Sequence, residues 1–178
     1  MSKRDKSLDK STQNDSLDER VRYYRQRASV KARSHYLSAH QYEKFHLWLG
    51  IPTVVITTIA GSTIFASLGA EGNSKAVLFA GILTMFAAVL AALQTFLNYS
   101  EKTEKHRNSA SNFAALKKDL DFFITKTEEI PDEPKSDLME SFGKLVEKWN
   151  ILERESLNVH DKFYDKANKE RRSDKDGI

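Results

Sequence analysis

The sequence predicts an all-α membrane protein: a two-helix transmembrane hairpin with a cytoplasmic three-helix, coiled-coil-like stalk. Three observations lead there. Two apolar runs, residues 47–68 and 76–97, carry no charged side chain. Each holds about 20 residues, enough to cross roughly 30 Å of hydrocarbon at 1.5 Å per residue. Long stripes of apolar residues at helical spacing flank the runs on both sides, and no segment alternates apolar with polar residues as a half-buried strand does.

Charge is partitioned along the chain. The 178 residues hold 28 Lys+Arg and 25 Asp+Glu, yet residues 45–100 contain only Glu71 and Lys75. That division describes a membrane anchor bearing a polar module. The absence of cysteine excludes disulfides, thiolate metal sites and cysteine nucleophiles. The first apolar residues are preceded by a charged, polar stretch and the run is too long for a signal-peptide core, so retention in the membrane is expected.

Orientation follows from the basic residues beside the spans. Arg22, Arg25, Arg27, Lys31, Arg33 and Lys44 precede the first; Lys102, Lys105, Arg107, Lys117 and Lys118 follow the second. The link between the spans offers Lys75 alone, opposed by Glu71. Both termini are therefore expected in the cytoplasm, with the short link outside.

Taken in order, residues 1–15 are polar, lack apolar periodicity and read as a disordered tail. Ser16-Leu17-Asp18-Glu19 has the form of a capping box, which places a helix start there and opens a single two-transmembrane domain, 16–168. A cytoplasmic helix is expected over 17–46, with Leu17, Val21, Tyr24, Ala28, Ala32, His35, Ala39, Tyr42 and His46 on one face and a stutter at Ala28. It continues into the first span, where Pro52 predicts a kink. The second span is expected to run without a break into a helix over 98–129, whose stripe is Phe113, Leu116, Leu120, Phe123 and Thr127. Pro131 and Pro134 stop it, because proline lacks the N–H that a helical ladder needs. A last helix is predicted over 135–168, with Leu138, Phe142, Leu145, Trp149, Leu152, Ser156, Val159 and Phe163 at alternating spacings of four and three. Residues 169–178 read as a basic flexible tail. The prolines send the last helix back antiparallel, so that Leu116, Leu120, Phe123, Leu138, Phe142, Leu145, Trp149 and Leu152 form the seam of the stalk.

Chemistry-bearing constellations are few. His35 and His46 lie on the first helix's stripe with Tyr42, while His40, His106 and His160 are scattered, and no pair has metal-ligand spacing. These histidines read as polar seam or interface residues, and a proton-sensing role for His46 rests on its position alone. Glu128, Glu129, Asp132 and Glu133 suit a solvated turn. No phosphate-cradling glycine loop and no nucleophile–histidine–acid set is present. The expectation is a protein that is not an enzyme, with no catalytic residue, no cofactor and no metal. Arg22, Arg25, Arg27, Lys31 and Arg33 flank the apolar stripe on both sides instead of forming one basic face, so nucleic acid is not an expected partner. In the spans, Thr53, Thr57, Ala60, Gly61 and Ile64, and Ala80, Thr84, Ala87, Ala88, Ala91 and Thr95, form small-residue stripes that allow close helix approach and cross-helix hydrogen bonds. Thr57, Gly61, Thr84, Ala88, Ala91 and Gln94 are the candidate span-packing or pore-lining residues. Two spans cannot enclose a pore, so permeation requires a homo-oligomer in the bilayer.

The order of parts resembles a known bacterial family. A cytoplasmic helix (Arg22-Val-Arg-Tyr-Tyr-Arg through Ala39-His40-Gln41-Tyr42), a Gly/Pro-containing first span, a short link, an Ala-rich second span and a tail of the type Asn98-Tyr99…His106…Ala110…Phe113…Leu116 are similar to the SLATT family. Those are two-transmembrane effectors associated with nucleotide-synthesising and nucleotide-sensing (SMODS and SLOG) proteins in bacterial conflict systems. The resemblance spans about residues 17–165 and is architectural. It implies an effector in the bacterial inner membrane that forms pores or disrupts the membrane when a nucleotide-synthesising or nucleotide-sensing partner protein is activated. With no appended sensor domain expected here, the trigger comes from a separate protein or acts on the stalk. Two alternatives stand beside it: a membrane-anchored coiled-coil scaffold, and a holin-like lysis protein.

Overall fold

The structure, a computed structural model, describes the backbone of residues 3–67, 74–130 and 134–176, and side chains within those stretches from Leu17 to Asp174 except 65–67, 74 and 76. Five helices follow one another: α1 (Lys3–Ser67), α2 (Ser74–Leu97), α3 (Tyr99–Glu129), α4 (Lys135–Glu155) and α5 (Asp161–Asp176). Among the described residues there is no strand, so the fold is all-α. Most of the link between the apolar runs, and the centre of the proline turn, lie outside the described residues. Two compact units emerge: residues 1–38 with 105–178, and residues 39–104.

The expected helix start at Ser16 is not where α1 begins. The helix already includes Lys3 and passes through Ser16-Leu17-Asp18-Glu19. No Gly or Pro interrupts the chain before Gly50, and the Asp18 carboxylate accepts a hydrogen bond from Arg22 Nε one turn on, at 2.7 Å. The helix also runs on through Pro52.

In the first unit, α1, α3 and α4 share one core. Phe113 and Leu116 are fully buried, Leu120 and Val21 nearly so, and Leu17, Ala28, Ala32, Phe123, Leu138, Phe142 and Trp149 complete the cluster. Each large apolar side chain removed from water contributes about 1.5–3 kcal/mol. Tyr24 joins the helices edge-on, its ring 5.9 Å from Phe142 and 5.6 Å from Trp149. Helix direction follows from the pairs at the rim. Arg25 on α1 pairs with Asp121 on α3, while His35 meets His106, so these two helices are antiparallel. Phe142 packs on Tyr24 and, further along α4, Glu153 reaches Lys31 at 3.2 Å, so α4 runs parallel to α1 and antiparallel to α3.

Two boundaries differ from expectation. The helix expected over 135–168 is broken: Ser156 is extended (φ −76°, ψ 145°), and its N–H closes α4 on the Leu152 carbonyl at 3.0 Å. His160 then starts α5, its carbonyl accepting from the Phe163 N–H at 2.9 Å. Ser, Asn and a β-branched Val lie together here, residues whose side chains compete with or crowd the helical backbone. The helix also extends past 168 to Asp176, so the residues expected as a flexible tail are helical as far as Asp176. Tertiary contacts explain this: Ala167 is buried, Glu170 pairs with Arg33 at 2.7 Å, and Arg171 Nη1 donates to Gln26 Oε1 at 3.4 Å.

The second span does not pass unbroken into α3. Asn98 adopts a left-handed conformation (φ 44°) between α2 and α3. Asn tolerates this region better than other non-glycine residues. Its backbone remains bonded, donating to the Gln94 carbonyl at 3.2 Å and accepting from the Lys102 N–H at 3.2 Å.

Candidate functional site

The second unit consists of the apolar part of α1, all of α2, and the ends that join them to the first unit. Both helices are long and apolar enough to cross a membrane, and only 6% and 11% of their apolar windows are buried within the protein. A core helix of a water-soluble protein would be mostly buried. Here Trp48 is 81% exposed, Phe96 85% and Met85 73%.

The inward faces are narrow. On α2, Ala80 and Ala87 are buried and Leu83, Leu90, Gln94 and Leu97 half-buried, at alternating spacings of three and four. On α1 the matching face is Leu49, Thr53, Ile56, Ala60 and Thr63. Of the six residues expected to pack the spans or line a pore, Thr57, Thr84, Ala88 and Ala91 are exposed, and Gly61 is half-buried with no atom within 4 Å of where a Cβ would stand. Within one chain these five therefore do not form the packing face. Gln94 does: its amide Nε2 lies 3.4 Å from the Cβ position of Gly50, so the glycine leaves room for it. The small-residue stripes include the buried Ala60, Ala80 and Ala87. They missed by about one position elsewhere, because in a helix that is apolar all round no periodic contrast marks the inner face.

The hydroxyls expected to bond across helices bond instead within their own. Thr53 donates to the Leu49 carbonyl at 2.7 Å, Thr57 to Thr53 at 2.9 Å, Ser62 to Thr58 at 2.9 Å, Thr84 to Ala80 at 2.8 Å and Thr95 to Ala91 at 3.0 Å. A hydroxyl satisfied by its own helix needs no water. At the polar ends of these helices sit stacked aromatics. Tyr99 lies 5.9 Å from Tyr42 and 5.5 Å from Phe45, with the Lys102 ammonium 5.7 Å from its ring.

In the first unit every expected seam residue joins the core. Leu116, Leu120, Phe123, Leu138, Phe142 and Trp149 are buried, and Leu145 and Leu152 pack on them half-buried. The Trp149 indole N–H donates to Glu153 at 3.0 Å, and Lys31 reaches the same carboxylate. Burial pushes the Glu153 carboxyl up, and the hydrogen bonds from Lys31 and Trp149 overcome that and hold it below its usual range. A half-open groove of about 240 Å³ lies between Leu17, Val21, Phe123 and Leu138. Its guanidinium, Arg22, faces Asp18 at 2.7 Å and Glu128 at 3.6 Å, which leaves no surplus positive charge for an anion.

The polar feature that sequence reasoning missed is a pair. His35 and His106, the one assigned to a stripe and the other left scattered, meet with Nδ1 atoms 2.9 Å apart and both residues buried. Carrying the α3 stripe back from Phe113 through Ala110 to His106 would have placed the second ring on the core side. Burial, then the neighbouring His106 and Lys31, lowers the pKa of His35 to about 4; burial also lowers that of His106. Among the described residues, no group of three or more His, Asp or Glu side chains is arranged to hold a metal ion.

Searches with this chain find no matching family model, no matching curated protein and no matching solved structure.

Proposed function

We propose that this chain is an integral protein of the bacterial inner membrane, spanning it as a hairpin with both termini cytoplasmic, and that it assembles there into a membrane-permeabilising homo-oligomer. The observation that carries the reading is the inverted surface of the second unit. Its large apolar side chains point outward, and a face of small residues, Gly81, Thr84, Ala88, Ala91 and Thr95 at spacings of three and four, is left uncovered by α1. Small residues let a further helix approach closely in lipid, where packing rather than hydrophobicity drives association. Basic residues on the flanks of both spans support the cytoplasmic termini. The first unit is then the cytoplasmic stalk. The SLATT resemblance supplies the biological setting: an effector of nucleotide-signalled bacterial conflict, acting with a nucleotide-synthesising or nucleotide-sensing partner.

The test is reconstitution. Purified full-length protein in anionic liposomes is expected to assemble beyond the monomer and to release a trapped dye. Ala88→Phe is expected to lower both assembly and release. Monomeric protein with intact liposomes would overturn the proposal.

A second reading, a membrane-anchored helical scaffold, is favoured by one observation. The exposed hydroxyls of both spans are satisfied within their own helices, so no aqueous lining is needed. Assembly without dye release would select it.

A further inference from the structure

The His35–His106 pair is a polar contact between α1 and α3, close to the limits of the first unit at residues 38 and 105. His35 is fully buried, stacked on Phe113 with ring centroids 5.7 Å apart and planes 20° apart, and its Nε2 has no hydrogen-bond partner. Two Nδ1 atoms at 2.9 Å bond only if one carries a proton and the other presents a lone pair. The tautomer sets the roles; with His35 as the Nδ1–H donor and His106 as the acceptor, the orphan Nε2 holds a lone pair and no N–H is stranded.

We propose that this pair is an acid-operated latch between α1 and α3. Neutral, it closes; a proton taken up by His35 opens the helices at this level, while the end built on Leu17, Phe123 and Leu138 stays packed. The geometry leaves the proton no comfortable place. On His35 it sits at Nε2, buried, with no acceptor. On His106 it sets two Nδ1–H groups against each other at 2.9 Å with no lone pair between them, unless His35 changes tautomer and exposes its orphan N–H.

The charged surroundings add to the effect. Lys31, one turn earlier on α1, disfavours a second positive charge at His35, and Glu153 of α4 engages Lys31 and Trp149 and not the ring. From α5, Glu170 is taken by Arg33 and Arg171 reaches Gln26. From α3 the ring meets His106 and Phe113. Among the described residues, no carboxylate offsets the charge at His35.

The chain has no cysteine, so spin labels can be placed at will. In full-length protein, labels on Tyr36→Cys and Asn108→Cys report on the latch, and labels on Glu19→Cys and Thr125→Cys report on the far end; all four positions are exposed. Electron–electron distance measurements from about pH 7.5 down to about pH 4 cover the window between the ordinary histidine value and the lowered value of His35, in which an open pair binds protons that the closed pair refuses. The expected result is a reversible loss of the short-distance population in the latch pair alone. In H35N/H106N, which cannot titrate, the distances should not respond to pH. An unchanged latch distance in the wild-type background overturns the proposal, as does equal opening at both ends, which is general acid unfolding. The wild-type series decides even if the double variant fails to fold. Because it reads one unit internally, the outcome is independent of whether the protein permeabilises membranes.

Discussion

The two units sort their side chains in opposite ways. In the first, Phe113, Leu116 and Leu120 lie inside, and charges such as Arg33, Glu170, Lys148 and Asp119 lie outside in pairs. In the second, alanines are inside at positions 60, 80 and 87, while Trp48, Met85, Phe86 and Phe96 are outside. One chain thus carries one unit with its large apolar side chains inside and another, apolar enough to cross a membrane, with them outside. The first is held by removal of apolar area from water. The second buries little area and relies on close backbone approach, with hydroxyls folded onto their own helices.

The sharpest way to break this contrast is to truncate one large side chain in each unit. Phe113→Ala or Trp149→Ala should cost about 3–5 kcal/mol in denaturant unfolding of the detergent-solubilised protein. Phe96→Ala, at an exposed position, should change it by less than about 0.5 kcal/mol. Equal losses would mean the second unit has a core that burial does not reveal. Next comes solvent preference. Met85→Arg should disfavour membrane insertion by about 2.5–3.5 kcal/mol, read as a shift of protein from the membrane to the soluble fraction. The same substitution at exposed Met139 should leave the partition unchanged.

The acid response expected of the His35–His106 pair is smaller per pH unit and belongs to the first unit. His35 has a folded-state pKa of about 4, below the unfolded value near 6.5. Its neutral form is the one the fold accepts, so its contribution is fully present above pH 6.5 and is lost as the pH falls toward 4, at up to about 1.4 kcal/mol per unit. Unfolding midpoints across that window should decline for the wild type, and decline less for His35→Asn. The smallest effect expected is at the rim. Arg33→Ala removes a largely exposed pair with Glu170 and should cost no more than about 1 kcal/mol, less in high salt.

Much of the seam was legible in the sequence. Leu116, Leu120, Phe123, Leu138, Phe142 and Trp149 alternate with charged neighbours, so their spacing points to a single face. The break at Ser156 was not legible, because the apolar spacing continues through Val159 and Phe163 as if the helix did. Nor was the inner face of α2, where Leu83, Ala87 and Leu90 turn inward and Thr84, Ala88 and Ala91, each one position away, are exposed. His106 stood on the core stripe, but a polar residue there signals burial only when its partner is known.

The sequence by itself determined the helical class, the two apolar helices and the heptad seam, since each follows from periodicity and composition along one strand of chain. Only the tertiary structure decided which flank of a uniformly apolar helix turns inward, where α4 stops and α5 docks, and that two histidines separated by 71 residues share one hydrogen bond. Those outcomes depend on contacts between distant segments, and local pattern carries no record of them.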